Sequence, residues 1–145
     1  MNVATAIKFP RYIDPNGDLC VYECGRQVPF GIQRVFTVSA VSGDMRGDHA
    51  HKQCTQLLVC VSGCIKVYCD NGAVETCHRL DSMHVGLLIP PGIWAVQRYI
   101  TGDAVLTVLC DRVYEPEDYI REFPDYLIYR QELLERSQFG RKSEL

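Results

Sequence analysis

The chain contains no apolar run of 18 residues, the length a helix needs to cross a bilayer. Met1 to Pro10 has no long apolar stretch of the kind found in a secretory leader. A soluble, cytoplasmic protein with no membrane partner is expected. A surplus of charge is also missing, since 15 Lys and Arg stand against 18 Asp and Glu for a net charge of -3. That balance lacks the basic excess with which nucleic-acid binders neutralise phosphates, so no nucleic-acid partner is expected. The eight cysteines form no Cys-x-x-Cys pair. Cys60, Cys64, Cys69 and Cys110 lie in or beside apolar runs, where a free thiol packs as a small hydrophobe, so a reduced chain is expected. Repeats, low-complexity segments and linkers are absent. The 145 residues therefore read as one domain with a real core, residues 1–138, followed by a polar tail at 139–145.

What the chain does have is many short β-type runs. Gln33 to Val41, Leu57 to Val61, Cys64 to Cys69, Val85 to Ile89 and Ala104 to Cys110 are apolar or β-branched. Turn residues separate them: Ser62-Gly63, Asp70-Asn71-Gly72, Pro90-Pro91-Gly92 and Thr101-Gly102-Asp103. Strands at this spacing indicate an all-β sandwich or barrel. The end of the chain differs. Glu115-Pro116-Glu117-Asp118 has the proline and acidic residues of a helix start, and Tyr126 to Ser137 reads as helical.

His49 and His51 precede the second of these runs. On a strand, residues two apart project to one face, so both imidazoles share a side. If that side is a barrel interior, the pair serves a metal site, acid–base chemistry, or both. His78 and His84 are read as solvent-facing loop residues.

The intervals around the pair are specific. Gly43, five residues, His49, one, His51, four, Gln56, six, Gly63 resembles the first signature of the cupin barrels. Pro90-Pro91-Gly92 matches the second. The resemblance implies a single cupin domain, a jelly-roll or double-stranded β-helix, with a short C-terminal helical segment. Metal-binding cupins use three histidines and a glutamate. Here Gln56 stands at the glutamate position and Ala95 at that of the third histidine, leaving two of the four donors. Because transition-metal sites normally need three or more protein ligands, neither a metal nor another cofactor is expected.

A narrower likeness runs from about residue 5 to 130. Arg46-Gly47-Asp48-His49-Ala50-His51-Lys52 resembles a motif of the nucleotide-sugar 3,4-ketoisomerases. So do Pro29-Phe30, Arg34-Val35-Phe36, Gln56 to Gly63, Gly86-Leu87, Pro90 to Trp94 and Tyr114 to Arg121. This resemblance implies an isomerase that moves the ketone of dTDP-4-keto-6-deoxyglucose from C4 to C3 through an enediolate. Its setting would be the synthesis of 3-amino-3,6-dideoxy sugars for bacterial surface glycans such as lipopolysaccharide O-antigen, and its state a homodimer. A sugar epimerase or a non-catalytic ligand-binding cupin are the other uses of such a pocket. The reaction needs a base near neutral pKa and donors for an oxyanion, a role histidine fills without a large shift.

The resemblance assigns catalysis to the histidine pair, with His51 as the base at C3 and His49 orienting the sugar or shuttling the proton. Arg46 is expected to reach a phosphate, with Arg34, Arg98 and Lys52 as further positive groups. Gln56 is expected to point into the barrel and Trp94 to wall the pocket. In the family the strand after Arg-Val usually reads Tyr-Tyr, with the second tyrosine near the sugar. Thr37 occupies that place and keeps only a short hydroxyl. Tyr114 and Tyr119 are read as core or interface residues.

Overall fold

The computed structural model describes residues 2–142. In chain order its strands are β1 (Thr5–Lys8), β2 (Arg11–Asp14), β3 (Gly17–Cys20), β4 (Arg34–Ser39), β5 (Met45–His51) and β6 (Gln56–Ser62). They continue as β7 (Ile65–Asp70), β8 (Glu75–Leu80), β9 (Val85–Ile89), β10 (Trp94–Tyr99), β11 (Val105–Cys110) and β12 (Tyr119–Ile120). A 3₁₀ turn at Pro116–Asp118 precedes β12, and the helix α1 spans Phe123–Lys142.

Two five-stranded antiparallel sheets, ordered β1-β9-β6-β11-β4 and β12-β5-β10-β7-β8, face each other as a jelly-roll. Period-two patterning builds the space between them. Ile65, Val67 and Cys69 of β7 point inward, as do Leu106, Val108 and Cys110 of β11. The run Leu57 to Cys60 is buried on both faces. Leu58 and Cys60 enter the main core, whereas Leu57 and Val59 pack outward against Phe9 and Val28 of the N-terminal segment. A continuous apolar strand therefore has cover on each side.

The expected β runs appear with boundaries shifted by one or two residues. All eight cysteines are free thiols, and Cys54, Cys60, Cys64, Cys69 and Cys110 are buried. No helix of the described residues is long and apolar enough to span a membrane.

Three local expectations change. The helix reaches Lys142 rather than ending at Ser137, so 139–142 continue it, while 143–145 lie outside the described residues. It also starts at Phe123, three residues before the expected Tyr126. It docks through its first turns: Phe123 and Tyr126 pack on Trp94, and the Tyr126 hydroxyl lies 2.8 Å from the carbonyl oxygens of both Asp70 and Gly92. His78 sits on β8 rather than in a loop and meets Thr76. His84 is largely enclosed, with Nε2 3.1 Å from Asp18.

The connection from β6 to β7, which carries the chain from one sheet to the other, turns on Gly63, whose φ of 72° lies in the left-handed region that favours glycine. A Cβ there would lie 2.8 Å from the Ala104 Cα and 2.7 Å from an Asp103 carboxylate oxygen. Gly63→Ala is expected to destabilise the fold by about 2 kcal/mol or more, combining left-handed strain with overlap against backbone, measured as a lowered urea midpoint at unchanged m.

Candidate active site

Strand β5 carries the histidines, and a bulge sets their aim. Ala95 of β10 pairs with His49, but Val96 pairs with Gly47, so Asp48 is the extra residue. Gly47 at φ 81° and Asp48 at φ 60° provide the left-handed backbone a bulge of this kind needs. Beyond it the alternation resumes. Ala50 packs outward with Trp94, Ile120 and Tyr126, while the rings of His49 and His51 meet edge to face at 5.0 Å.

The strand β12 completes the arrangement. Tyr119 pairs with His51 and Ile120 with Ala50, which places the Tyr119 ring on the histidine face. Its centroid is 4.4 Å from that of His51 and 5.0 Å from that of His49. One residue earlier, the buried Asp118 carboxylate accepts from His51 Nδ1 at 2.9 Å, from the Gln53 amide at 2.6 Å and from the Cys54 amide at 3.3 Å. This requires the proton on Nδ1 and leaves the lone pair on Nε2, a buried atom with no hydrogen-bond partner among the described residues.

A cavity of about 190 Å³ opens between the sheets on this face. His49, Tyr119, Gln97 and Arg46 line one side, and Arg34, Phe36 and Gln56 the other. With Arg121 it holds three arginines and, among the described residues, no carboxylate. Arg34 Nη1 donates to the Tyr119 hydroxyl at 3.3 Å, and its guanidinium lies between the rings of Phe36 and Tyr114 at 4.6 and 4.9 Å. A larger groove of about 500 Å³ lies outside, between α1 and β12, and shares Tyr119 and Arg121. It has no histidine, so the chemistry belongs to the smaller cavity.

Burial pushes His49 down to about 4, helped by the neighbouring His51. Burial also lowers His51, although Asp118 opposes this. Both imidazoles are therefore neutral at pH 7 and able to accept a proton.

Several expected site residues converge here and others do not. His49, His51, Gln56, Arg34 and Arg46 come together, but only His49 of the histidine pair lies on the cavity wall. Thr37 points outward, because the inward alternation of β4 selects Arg34, Phe36 and Val38. Position 36, not 37, is the one that faces the cavity. Trp94 lies on the opposite face of its sheet beneath α1, and Arg98 points outward on the same strand. Lys52 borders the outer groove. Sequence reasoning gave no role to Asp118, Gln97 or Arg121 and read Tyr119 as a core or interface residue. The Asp118 to Arg121 run was visible as a motif, but nothing local shows that it lies across from His51.

The residues do not suit the metal centre that cupins often carry. Ala95 sits inward opposite His49 and has no donor, and Gln56 is a neutral amide directed at Cys110 Sγ, 3.5 Å away. His51, Cys54 and Asp118 bring three possible ligand atoms within 4.8 Å of one another. The Asp118 oxygens are engaged by the imidazole and two backbone amides, which accounts for that convergence without a cation.

Residues 2–131 match the family described as WxcM-like, C-terminal (FdtA). The chain belongs to that family. A curated relative is the TDP-4-oxo-6-deoxy-alpha-D-glucose-3,4-oxoisomerase of Aneurinibacillus thermoaerophilus. It is 36% identical over 124 residues, which cover 85% of this chain and 89% of the relative. Among solved structures, the sugar 3,4-ketoisomerase QdtA from Thermoanaerobacterium thermosaccharolyticum, in complex with TDP, has a TM-score of 0.85 at 32% identity. The match covers 89% of this chain and 95% of QdtA. A mutant of QdtA is also known in complex with TDP-4-keto-6-deoxyglucose, with a TM-score of 0.85, 32% identity and coverage of 89% and 94%. WlaRA, a TDP-fucose-3,4-ketoisomerase from Campylobacter jejuni, has a TM-score of 0.82 at 26% identity over 90% of this chain and 96% of its own.

Two outcomes test this geometry of a WxcM-like site. Asp118→Asn leaves one acceptor facing three N–H donors, so a loss of about 1–3 kcal/mol of stability and a 10- to 100-fold fall in kcat are expected; calorimetry and turnover measure both. The second concerns pH. The folded chain resists protonating His49 until about 4, whereas an unfolded histidine titrates near 6.5. Stability from this group is complete above pH 6.5 and falls as pH drops towards 4, by on the order of 3 kcal/mol. Thermal melts from pH 8 to 4 should show this decline, and His49→Asn should flatten it.

Proposed function

We propose that this protein is a nucleotide-sugar 3,4-ketoisomerase that converts dTDP-4-keto-6-deoxyglucose to the 3-keto isomer. The observation that carries the reading is a neutral, enclosed imidazole, His49, on the wall of a cavity whose charged groups are all arginines. The matched relatives with this named activity support it. A cavity of about 190 Å³ is small against the roughly 300–1,000 Å³ of ordinary ligand pockets, and suits one hexose ring with the nucleotide beyond its mouth.

The 4-ketone acidifies the C3 proton. His49, the histidine that meets the cavity, takes this proton, and the charge developing on the oxygen is met by guanidinium donors. This exchanges the roles expected from sequence: His51 stands behind His49, its tautomer set by Asp118. A proton delivered to C4 leaves the ketone at C3. Acid–base catalysis of this kind contributes roughly 10²–10⁴-fold. Arg46, exposed at the cavity edge, is placed to meet the diphosphate. No step calls for a metal or redox cofactor.

The product suits a later transamination at C3, as in the making of 3-amino-3,6-dideoxy sugars for surface glycans. The eight free thiols suit the reducing cytoplasm. Exposed Val35 on the edge strand β4, together with Val113 and Tyr114, suits a homodimer contact.

The test is incubation with freshly made dTDP-4-keto-6-deoxyglucose in deuterated buffer, followed by NMR. A ketone at C3 with deuterium at C4 is expected. Deuterium at C3 or C5 with the ketone still at C4, and no 3-ketone formed, would move the protein to the epimerases. His49→Asn should lower turnover at least 100-fold while dTDP binding stays within about threefold, read by calorimetry.

A further inference from the structure

Moving a ketone from C4 to C3 relocates two protons. One passes from C3 to C4 and the other from O3 to O4. A histidine that serves the carbons leaves the oxygen proton without a carrier. The inference that follows rests on the ketoisomerase reading above.

Tyr119 has the position and the chemistry for that second transfer. Its ring lies against both imidazoles, at 5.0 and 4.4 Å, and it shares the cavity wall with His49. Its hydroxyl is 3.3 Å from Arg34 Nη1. A guanidinium has donors and no acceptor, so Arg34 occupies a lone pair of the phenol oxygen and leaves the phenol hydrogen free. The second guanidinium, Arg121, lies 4.3 Å from the ring centroid. Both cations favour negative charge on a sugar oxygen beside the phenol. Phe36 has no hydroxyl, so it cannot take this role from the facing strand.

We propose that Tyr119 is a catalytic residue that moves the proton from O3 to O4, with Arg34 positioning its phenol. His49 takes the C3 proton, the C–H electron pair becomes the C3–C4 double bond, and the carbonyl electrons move to O4. The phenol then gives its proton to O4 as its oxygen takes the hydrogen of O3, which restores the phenol. The electrons left on O3 re-form a carbonyl at C3, and the double-bond pair takes the proton of His49 at C4. Atoms and electrons balance with no added reagent.

Tyr119→Phe isolates this step, because it keeps the ring on the histidines and removes only the hydroxyl. The variant and the wild type are compared in deuterated buffer with dTDP-4-keto-6-deoxyglucose, following 3-ketone formation and deuterium entering C3 of recovered substrate. Isomerisation slowed at least 100-fold, with KM within threefold and C3 exchange within tenfold of wild type, is the expected result. Retained exchange also shows that the variant is folded. Isomerisation at the wild-type rate would overturn the proposal. So would equal loss of isomerisation and exchange, which would make the hydroxyl a support for the histidines. A wild type that forms no 3-ketone would instead remove the ketoisomerase reading itself.

Discussion

The site depends on one very short strand pairing, that of Tyr119 and Ile120 with His51 and Ala50. It joins segments far apart in the chain and does three things at once. It sets the Asp118 carboxylate on His51 Nδ1, lays the Tyr119 ring over both imidazoles, and seats Ile120 with Ala50 under the helix. Two residues of ladder could not hold this geometry alone. The helix that follows is fastened by Tyr126 against Trp94 and two backbone carbonyls, which fixes the strand from its far end. The buried carboxylate is tolerable because three N–H groups converge on it and replace the hydrogen bonds it would make to water.

Electrostatics then decide what the cavity can do. Three arginines and no carboxylate line it, so negative charge is welcome. Burial keeps the histidines neutral beside those cations, since a protonated imidazole would add like charge to a poorly solvated space. A neutral base next to fixed positive donors matches the needs of an enediolate: a proton leaves carbon while charge builds on oxygen. The jelly-roll is shared with metal-dependent enzymes. Ala95 and Gln56 show how the same interior reads once two metal donors are replaced: space and hydrogen bonding remain, and proton transfer becomes the available chemistry.

Much of this was legible before the fold was known. The alternation of β7 and β11 and the doubly buried run Leu57 to Cys60 are local patterns, and the strands followed them. The placement of His49 and His51 on one face needed only their spacing of two. Thr37 shows the limit of reading by family position. The face of a strand is set by its own alternation, and in β4 that alternation turns Arg34, Phe36 and Val38 inward. Trp94 shows a second limit. Aromatic character marks a residue for burial, but either side of a sheet supplies it, and the helix claimed this one.

The sequence by itself determined the all-β class, the turns at Gly63 and Asn71-Gly72, and the presence of a histidine pair with too few partners for a metal. Those features depend on residues near one another in the chain, where backbone geometry limits the choices. Only the tertiary structure decided which histidine opens to the cavity, that Asp118 stands behind the other, and that Tyr119 and Arg34 meet across the barrel. The Asp48 bulge and the β12–β5 pairing make those choices. Both arise from packing between distant segments, whose contacts are set by the closure of the two sheets and leave no periodic trace in the chain.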